Sequence, residues 1–355
     1  MGHGEGTDKT GWGHMNRALL WMPSSERAVS FARKLERKGF TCFATEAASV
    51  VGVIVHDFEA FATSLSRYLT SHERQRVKAL VVNGESPKLE DFLHLESADS
   101  FIRRHSTKWI ERLIADKRYF SVMQPIVNAQ DGRIHGYEFL LRGLKTNGDP
   151  IPPLELFDNA DAELRRQLDY CGFLSAIDTA EAFGIQERVF VNVLPQTVSH
   201  HDKEFEAVLD RVEQAGIRPE RVVFEIVESE KIVDMEALQR VIQFCRWAGY
   251  RIALDDFGSG FNNLVTMIGL KPDYIKLDQG LISQIAGESA TWNLVANMID
   301  AARQAGVLVI AEGVEDEKTA RLLRTLGADF LQGFHIGRPA REPVSSPLPH
   351  AAEGG

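Results

Sequence analysis

The chain has 355 residues, of which 44% are hydrophobic and 25% charged, and it carries a formal net charge of −10. That length and balance suit a large globular domain plus a smaller one. The acidic excess argues against a long basic groove for DNA or RNA, because such grooves bind the nucleic-acid backbone through clustered Lys and Arg. A small anion held through metal remains compatible with it.

Residues 1–15 are Gly-rich and polar and read as disordered. Residues 16–105 form a separate small α/β domain with a sensory or interaction role. Arg17–Met22 is a short apolar strand, and Ser25 is placed to cap a helix running through Lys38 to Gly39. Thr41–Ala44 and Val50–Val55 are further strands, a helical stretch follows to about Ser71, and Val77–Val82 ends at the turn Asn83-Gly84. Strands alternating with helices predict a small parallel sheet with helices around it. With Asp57 just after the strand VGVIV, this stretch faintly resembles a degenerate receiver domain. The acidic pair that holds Mg²⁺ in receivers is missing from the first strand, so a non-phosphorylated module is the expectation. Residues 100–117 read as an amphipathic connecting helix, with 106–117 as the linker.

From 118 to 340 the rhythm becomes long and regular. Strands are predicted at Tyr119–Val127, Ile134–Arg142, Arg188–Leu194, Val222–Val227, Arg251–Asp256, Tyr274–Leu277, Leu308–Glu312 and Asp329–Gly333. Helices are predicted at Glu163–Phe183, Lys203–Ala215, Met235–Ala248, Thr291–Ala305 and Glu317–Leu326. Repetition of strand and helix over roughly 200–250 residues is the pattern of a TIM-like (β/α)8 barrel. The short Asp131-Gly132 turn makes the first two strands an antiparallel hairpin, a departure from the plain barrel. Residues 341–355 read as a flexible tail.

Cys42, Cys171 and Cys245 lie far apart with no metal-binding spacing and read as reduced thiols of a cytoplasmic protein. No apolar run approaches the ~20 residues that cross a bilayer. His200-His201 reads as a solvated loop.

The chemistry gathers at the strand ends. In order, the predicted strands carry Glu138, Asn192, Glu225 with Glu228 following, Asp255-Asp256, Lys276, Glu312 with Glu315 beyond, and Gln332. In a barrel these ends share one rim, where barrel enzymes keep their active sites. Any one of them alone is ordinary loop or surface polarity. Their succession over seven strands is not, because carboxylates buried together need a neutralising cation. Oxygen ligands of this kind suit Mg²⁺ or Mn²⁺, and adjacent aspartates allow one to bridge two ions.

The segments QPIV (124–127), EFLLRG (138–143), FVNV (190–193), FEIVES (224–229), DDFGSGFNNL (255–264), YIKLD (274–278), AEGVE (311–315) and QGFHIGRP (332–339) resemble the EAL family, over about 220 residues and in the family's order. That family comprises cyclic di-GMP phosphodiesterases and inactive relatives that bind the same ligand. The resemblance implies hydrolysis of cyclic di-GMP to the linear dinucleotide pGpG, regulated by the N-terminal domain and its unknown partner. It implies that Glu138, Asn192, Glu225 and Asp255 hold a first ion, and that Asp255, Asp256 and one of Glu312 and Glu315 hold a second. It assigns catalytic roles to Glu138, Lys276, Glu312 and Gln332. Lys276 and Gln332 orient water and substrate, and Glu312 is the candidate base. Gln124 and Arg142 contact the dinucleotide, Glu228 supports the loop 257–264, and that loop implies a homodimer.

Two departures stand out. Phe139 replaces the family's usual alanine, and Leu194 replaces a common serine before the proline. Strand alternation points Phe139 to the face opposite Glu138. The alternative to an active enzyme is a catalytically inactive cyclic di-GMP receptor or a protein-interaction scaffold.

Overall fold

A computed structural model of the chain describes residues 16–84, 87–106, 108–194, 203–226, 235–258, 264–287 and 289–344. The predicted disordered segment 1–15, residues 345–355, Glu228, His200-His201 and most of the loop 257–264 lie outside the described residues. Contacts divide the chain into two units, one of residues up to Arg112 with Asn159–Asp161, the other of Leu113–Asp158 with the residues from Ala162 onward.

The first unit holds strands β1 (Asn16–Trp21), β2 (Thr41–Ala44), β3 (Val50–Val55), β4 (Lys78–Asn83) and β5 (Glu96–Ser97). Their spatial order is β2-β3-β1-β4-β5, and every pairing is antiparallel. The expectation of a parallel, receiver-like sheet is therefore corrected. The crossings β1-helix-β2 and β3-helix-β4 carry strands to positions where they run against their neighbours, an arrangement that element order alone does not distinguish from a parallel one. Asp57 is a helix cap: its Oδ1 accepts from the backbone N–H groups of Glu59 and Ala60 at 2.9 and 3.1 Å. The first helix, Ser25–Glu36, is capped by Ser24 rather than Ser25, through the Arg27 N–H. One sheet face buries Ala18, Leu20, Val53 and Val55 against Phe31, Phe61 and Phe101 of three helices. The other face buries Leu19, Leu80 and Val82. The stretch 100–117 contains two helices, Ala98–Ser106 and Lys108–Ala115, instead of one.

The second unit is a closed barrel of eight strands: β6 (Tyr119–Asn128), β7 (Ile134–Leu144), β9 (Arg188–Val193), β10 (Val222–Ile226), β11 (Arg251–Phe257), β12 (Tyr274–Leu277), β13 (Leu308–Ala311) and β14 (Phe330–Gln332), with the short β8 (Pro150–Ile151) flanking β7. β6 runs antiparallel to both its neighbours, β7 and β14, and the remaining pairings around the ring are parallel. The Asp131-Gly132 turn sets this, since two strands joined by a turn that short must run in opposite directions. The helices Ala162–Ala182, Lys203–Gln214, Met235–Trp247, Ser289–Ala305 and Glu317–Leu326 fall where the hydrophobic spacing predicts them. They and the outward strand faces build the main core, in which Phe139, Phe173, Val191 and Phe224 are all buried.

Inside the barrel, Ile126, Phe190, Val223, Ala253, Tyr274, Ile310 and Phe330 form a second apolar cluster. His135 of β7 stacks on Phe330 at 3.7 Å between ring centroids, and its Nε2 lies 3.2 Å from the Tyr274 hydroxyl. Burial pushes the His135 imidazole down to about 3, with Arg188 adding to the effect, so the ring sits neutral in this plug. Gly136 completes the layer: a Cβ there would meet the Arg188 carbonyl oxygen and the Phe190 ring, both at 2.7 Å. Past residue 340 the chain still touches the barrel, where the Tyr137 hydroxyl donates to the Val344 carbonyl at 3.0 Å.

Candidate active site

Side chains on one face of a strand recur every second residue. Two residues beyond each interior plug residue stands a polar one: Asn192 after Phe190, Glu225 after Val223, Asp255 after Ala253, Lys276 after Tyr274, Glu312 after Ile310, Gln332 after Phe330 and Glu138 after Gly136. On the antiparallel β6 the same step runs backward, from Ile126 to Gln124. The apolar plug thus floors a complete polar layer at the rim, and all eight strands contribute to it.

Lys276 is its centre. Its Nζ lies 2.8 Å from Glu312 Oε1, 2.9 Å from Glu225 Oε1, 3.2 Å from Asp255 Oδ1 and 3.6 Å from Glu138 Oε2. Glu138 is fixed from both sides: Asn192 Nδ2 donates to its Oε1 at 3.0 Å and Gln332 Nε2 to its Oε2 at 2.6 Å. Gln332 Nε2 also reaches Gln124 Oε1 at 3.3 Å, and Gln124 Nε2 donates to the Gly337 carbonyl at 3.2 Å.

Adjacent residues of a regular strand point to opposite faces, so Asp255 and Asp256 need a break in the pleat to act together. β11 supplies it. Its register against β12 shifts between Leu254 and Phe257, and Asp256 adopts φ 51°, the left-handed region in which Asp is tolerated better than most residues. Carboxylate oxygens of Asp255, Asp256 and Glu312 lie within 4.8 Å of one another. Glu315 is exposed and outside that trio. It lines a cavity of about 140 Å³ with Gln124, Glu138, Glu312 and Gln332.

The protonation pattern follows from burial and from Lys276. Burial drives the Glu225 carboxyl well above the usual range, and the Lys276 ammonium only partly opposes it. Burial likewise raises Glu312, to about 8, and raises Asp256. Glu138 moves the other way: burial disfavours its charge, but Lys276 and the two amide donors outweigh this and hold it below the usual range. Burial works against the Lys276 charge, yet the surrounding carboxylates keep its pKa well above the ordinary lysine value.

These residues fit divalent metal. Five carboxyl groups share this rim with one ammonium, and burial raises three of them, Glu225, Asp256 and Glu312, above the usual range, so divalent cations would favour their ionised form. Glu225 Oε2 and Gln332 Oε1 are fully buried without a hydrogen-bond partner. A buried acceptor left without a partner is costly unless something such as a cation completes it.

Beside Glu138, Asn192 and Asp255 opens a cleft of about 610 Å³ whose walls include Leu154, Phe157 and Val193. Arg142 lies four residues beyond Glu138, on the same strand face, and donates to the Leu141 carbonyl at 2.8 Å. Phe139 is 3% exposed and belongs to the outer core, as strand alternation predicts. The backbone N–H of Leu194, which stands where the family commonly has serine, donates to Asp169 Oδ2 at 3.0 Å. Asp169 gave no signal in the sequence: it is an acidic residue within a helix, flanked by Leu168 and Tyr170. Gln279, which lines the smaller cavity beside Phe334, was also unmarked.

The EAL domain model matches residues 107–339. Among curated proteins, the chain is 28% identical over 244 residues to the probable cyclic di-GMP phosphodiesterase PdeN of Escherichia coli K12, covering 67% of this chain and 46% of that protein. It is 26% identical over 274 residues to the cyclic di-GMP phosphodiesterase PdeF of the same organism, covering 72% and 36%. The chain therefore spans less than half the length of these relatives. Among solved structures, a standalone EAL protein from Vibrio cholerae O395 in its c-di-GMP-bound form aligns with a TM-score of 0.61 at 25% identity, covering 66% of this chain and 98% of that one.

Proposed function

This chain belongs to the EAL domain family, and from that premise we propose that it hydrolyses cyclic di-GMP to the linear dinucleotide with the help of Mg²⁺ or Mn²⁺. The observation that carries this reading is Lys276 within 3.6 Å of four carboxylates, at the centre of a rim to which every barrel strand contributes.

In this reading Glu138, Asn192, Glu225 and Asp255 would hold one ion, and Asp255, Asp256 and Glu312 would hold the other, with Glu315 at the margin. When bound, the ions polarise a phosphate oxygen and acidify bound water. The chain's own groups do the rest. Gln332 and Asn192 lock Glu138 in one orientation. Lys276 keeps its proton on Nζ and sets a fixed positive charge beside the attacked phosphorus. Glu312 is the candidate base for the attacking water. Gln124 and Gln332 orient the substrate, and the Arg142 guanidinium binds a phosphate of the dinucleotide. The apolar wall of Leu154 and Phe157 supports a stacked base.

Further parts of the reading concern the whole chain. The N-terminal unit regulates turnover through a partner of its own. The chain dimerises through the face formed by helices Leu264–Leu270 and Ser289–Ala305, which touch one another and expose Ile268, Trp292 and Leu294. Free Cys42, Cys171 and Cys245 suit the cytoplasm, and no helix among the described residues is long and apolar enough to cross a membrane. The test is to incubate the chain with cyclic di-GMP in Mg²⁺, in Mn²⁺ and in EDTA, and to separate the products by chromatography. Linear dinucleotide formed only with metal supports the reading. Tight binding without turnover in either metal would replace it with a receptor.

A further inference from the structure

At the end of the barrel opposite the rim, a cleft of about 500 Å³ is lined by Arg188, Arg246, Arg251 and Lys271, with Asp273 and Tyr274 among the remaining residues. Four cationic side chains stand there against one carboxylate, on a chain whose net charge is −10. This end of such barrels ordinarily serves stability rather than chemistry, so each cation should have a structural partner.

Two of the four do. Arg251 Nη1 pairs with Asp273 Oδ1 at 2.6 Å, and Asp273 Oδ2 is taken by the Ile252 N–H at 2.9 Å. Arg246 donates to the carbonyls of Leu270, at 3.0 Å, and of Lys271. The other two do not. Neither Arg188 nor Lys271 has an acidic partner among the described residues, and Arg188 Nε is buried with no hydrogen-bond acceptor. Lys271 also sits at φ 48°, a conformation unusual for a residue with a side chain.

We infer that this cleft binds a small phosphate-bearing anion. Its charge exceeds what one carboxylate ligand would satisfy, and it combines a guanidinium fork with a point-charge ammonium, the pair of donors suited to a tetrahedral phosphate. The volume admits a ligand the size of a mononucleotide, with Pro272, Ala305 and Leu308 as its uncharged wall. The site is separate from the rim: the plug layer of Phe190, Tyr274 and Phe330 lies between them.

The test is calorimetric titration of the full chain in EDTA, at matched ionic strength, with inorganic phosphate and with AMP as probes. Arg188→Gln and Lys271→Ala are run beside Asp256→Asn at the rim. The expected result is saturable binding of at least one probe, weakened about tenfold or more in both cleft variants and unchanged in Asp256→Asn. Tighter binding of phosphate identifies the free anion as the ligand class, and tighter binding of AMP identifies a phosphomonoester. Lys271 is exposed, so its variant retains the fold even if Arg188→Gln does not. Wild-type chain that binds neither probe, or a Lys271→Ala variant that binds as well as wild type, overturns the inference.

Discussion

Lys276 Nζ lies 2.9 Å from Glu225 Oε1, and both side chains are buried, at 1% and 0% exposure. The lysine acts as an internal counter-ion for a carboxylate cluster that would otherwise repel itself. Breaking such a buried pair by removing one partner costs about 3–5 kcal/mol. Lys276→Met should therefore lower the metal-free melting temperature, abolish turnover, and gain more thermal stability from added Mn²⁺ than wild type does. Melting curves with and without Mn²⁺ check this. An equal metal-induced gain in both proteins would contradict it.

Glu225→Gln should act in the opposite direction in the metal-free protein. It keeps the shape of the side chain and replaces a carboxyl that burial already keeps from ionising and whose Oε2 has no donor, while Lys276 retains Glu138, Asp255 and Glu312 as partners. Metal-free stability should rise or hold, while the stabilisation by Mn²⁺ disappears. A drop in metal-free stability would show that the carboxylate is a structural element rather than a ligand.

Phe139→Ala restores the residue usual in the family but removes a side chain buried in the outer core. Loss of a buried phenylalanine costs about 3–5 kcal/mol. Because Asn192 and Gln332 fix Glu138 independently, kcat at low temperature should stay within several-fold of wild type while the melting temperature falls. Loss of activity without loss of stability would mean that Phe139 acts on the rim.

The N-terminal unit should carry its own acid sensitivity. His105 stacks on Phe58 and lies against Phe101, with ring centroids 4.8 and 4.4 Å apart, and neither ring nitrogen has a partner. Burial lowers its pKa from 6.5 to about 4. In that interval the unfolded chain binds the proton and the folded chain does not, so this contribution to stability is fully present above pH 6.5 and is lost as pH falls toward 4. Thermal melts from pH 7 to 4 should show a smaller decline in His105→Phe than in wild type. Parallel declines would contradict the assignment.

Much of the barrel was legible because strand ends carry two signals at once: an apolar alternation and a polar residue breaking it. Phe190-Val191-Asn192 and Tyr274-Ile275-Lys276 each name an interior position and the rim position above it. The hairpin was readable from Asp131-Gly132. What stayed hidden depended on three-dimensional partners. Nothing in the sequence places Asp169 under Leu194, and no pattern announces that Asp256 takes a left-handed backbone in a bulge. The N-terminal sheet was misread because element order fits parallel and antiparallel pairing alike, and the register that decides between them is a property of non-local contacts. The clustered cations of the lower cleft come from strand starts and helix ends far apart in sequence, where single arginines look like ordinary surface charge.

The proposed function assigns metal-dependent phosphodiester hydrolysis to the carboxylate rim. The most direct measurement is turnover of cyclic di-GMP in Mn²⁺ by the wild-type chain and by Glu225→Gln, with products resolved by chromatography. Wild type should yield the linear dinucleotide, and the variant should lose about 100-fold or more of that turnover. Undiminished turnover by Glu225→Gln would contradict it.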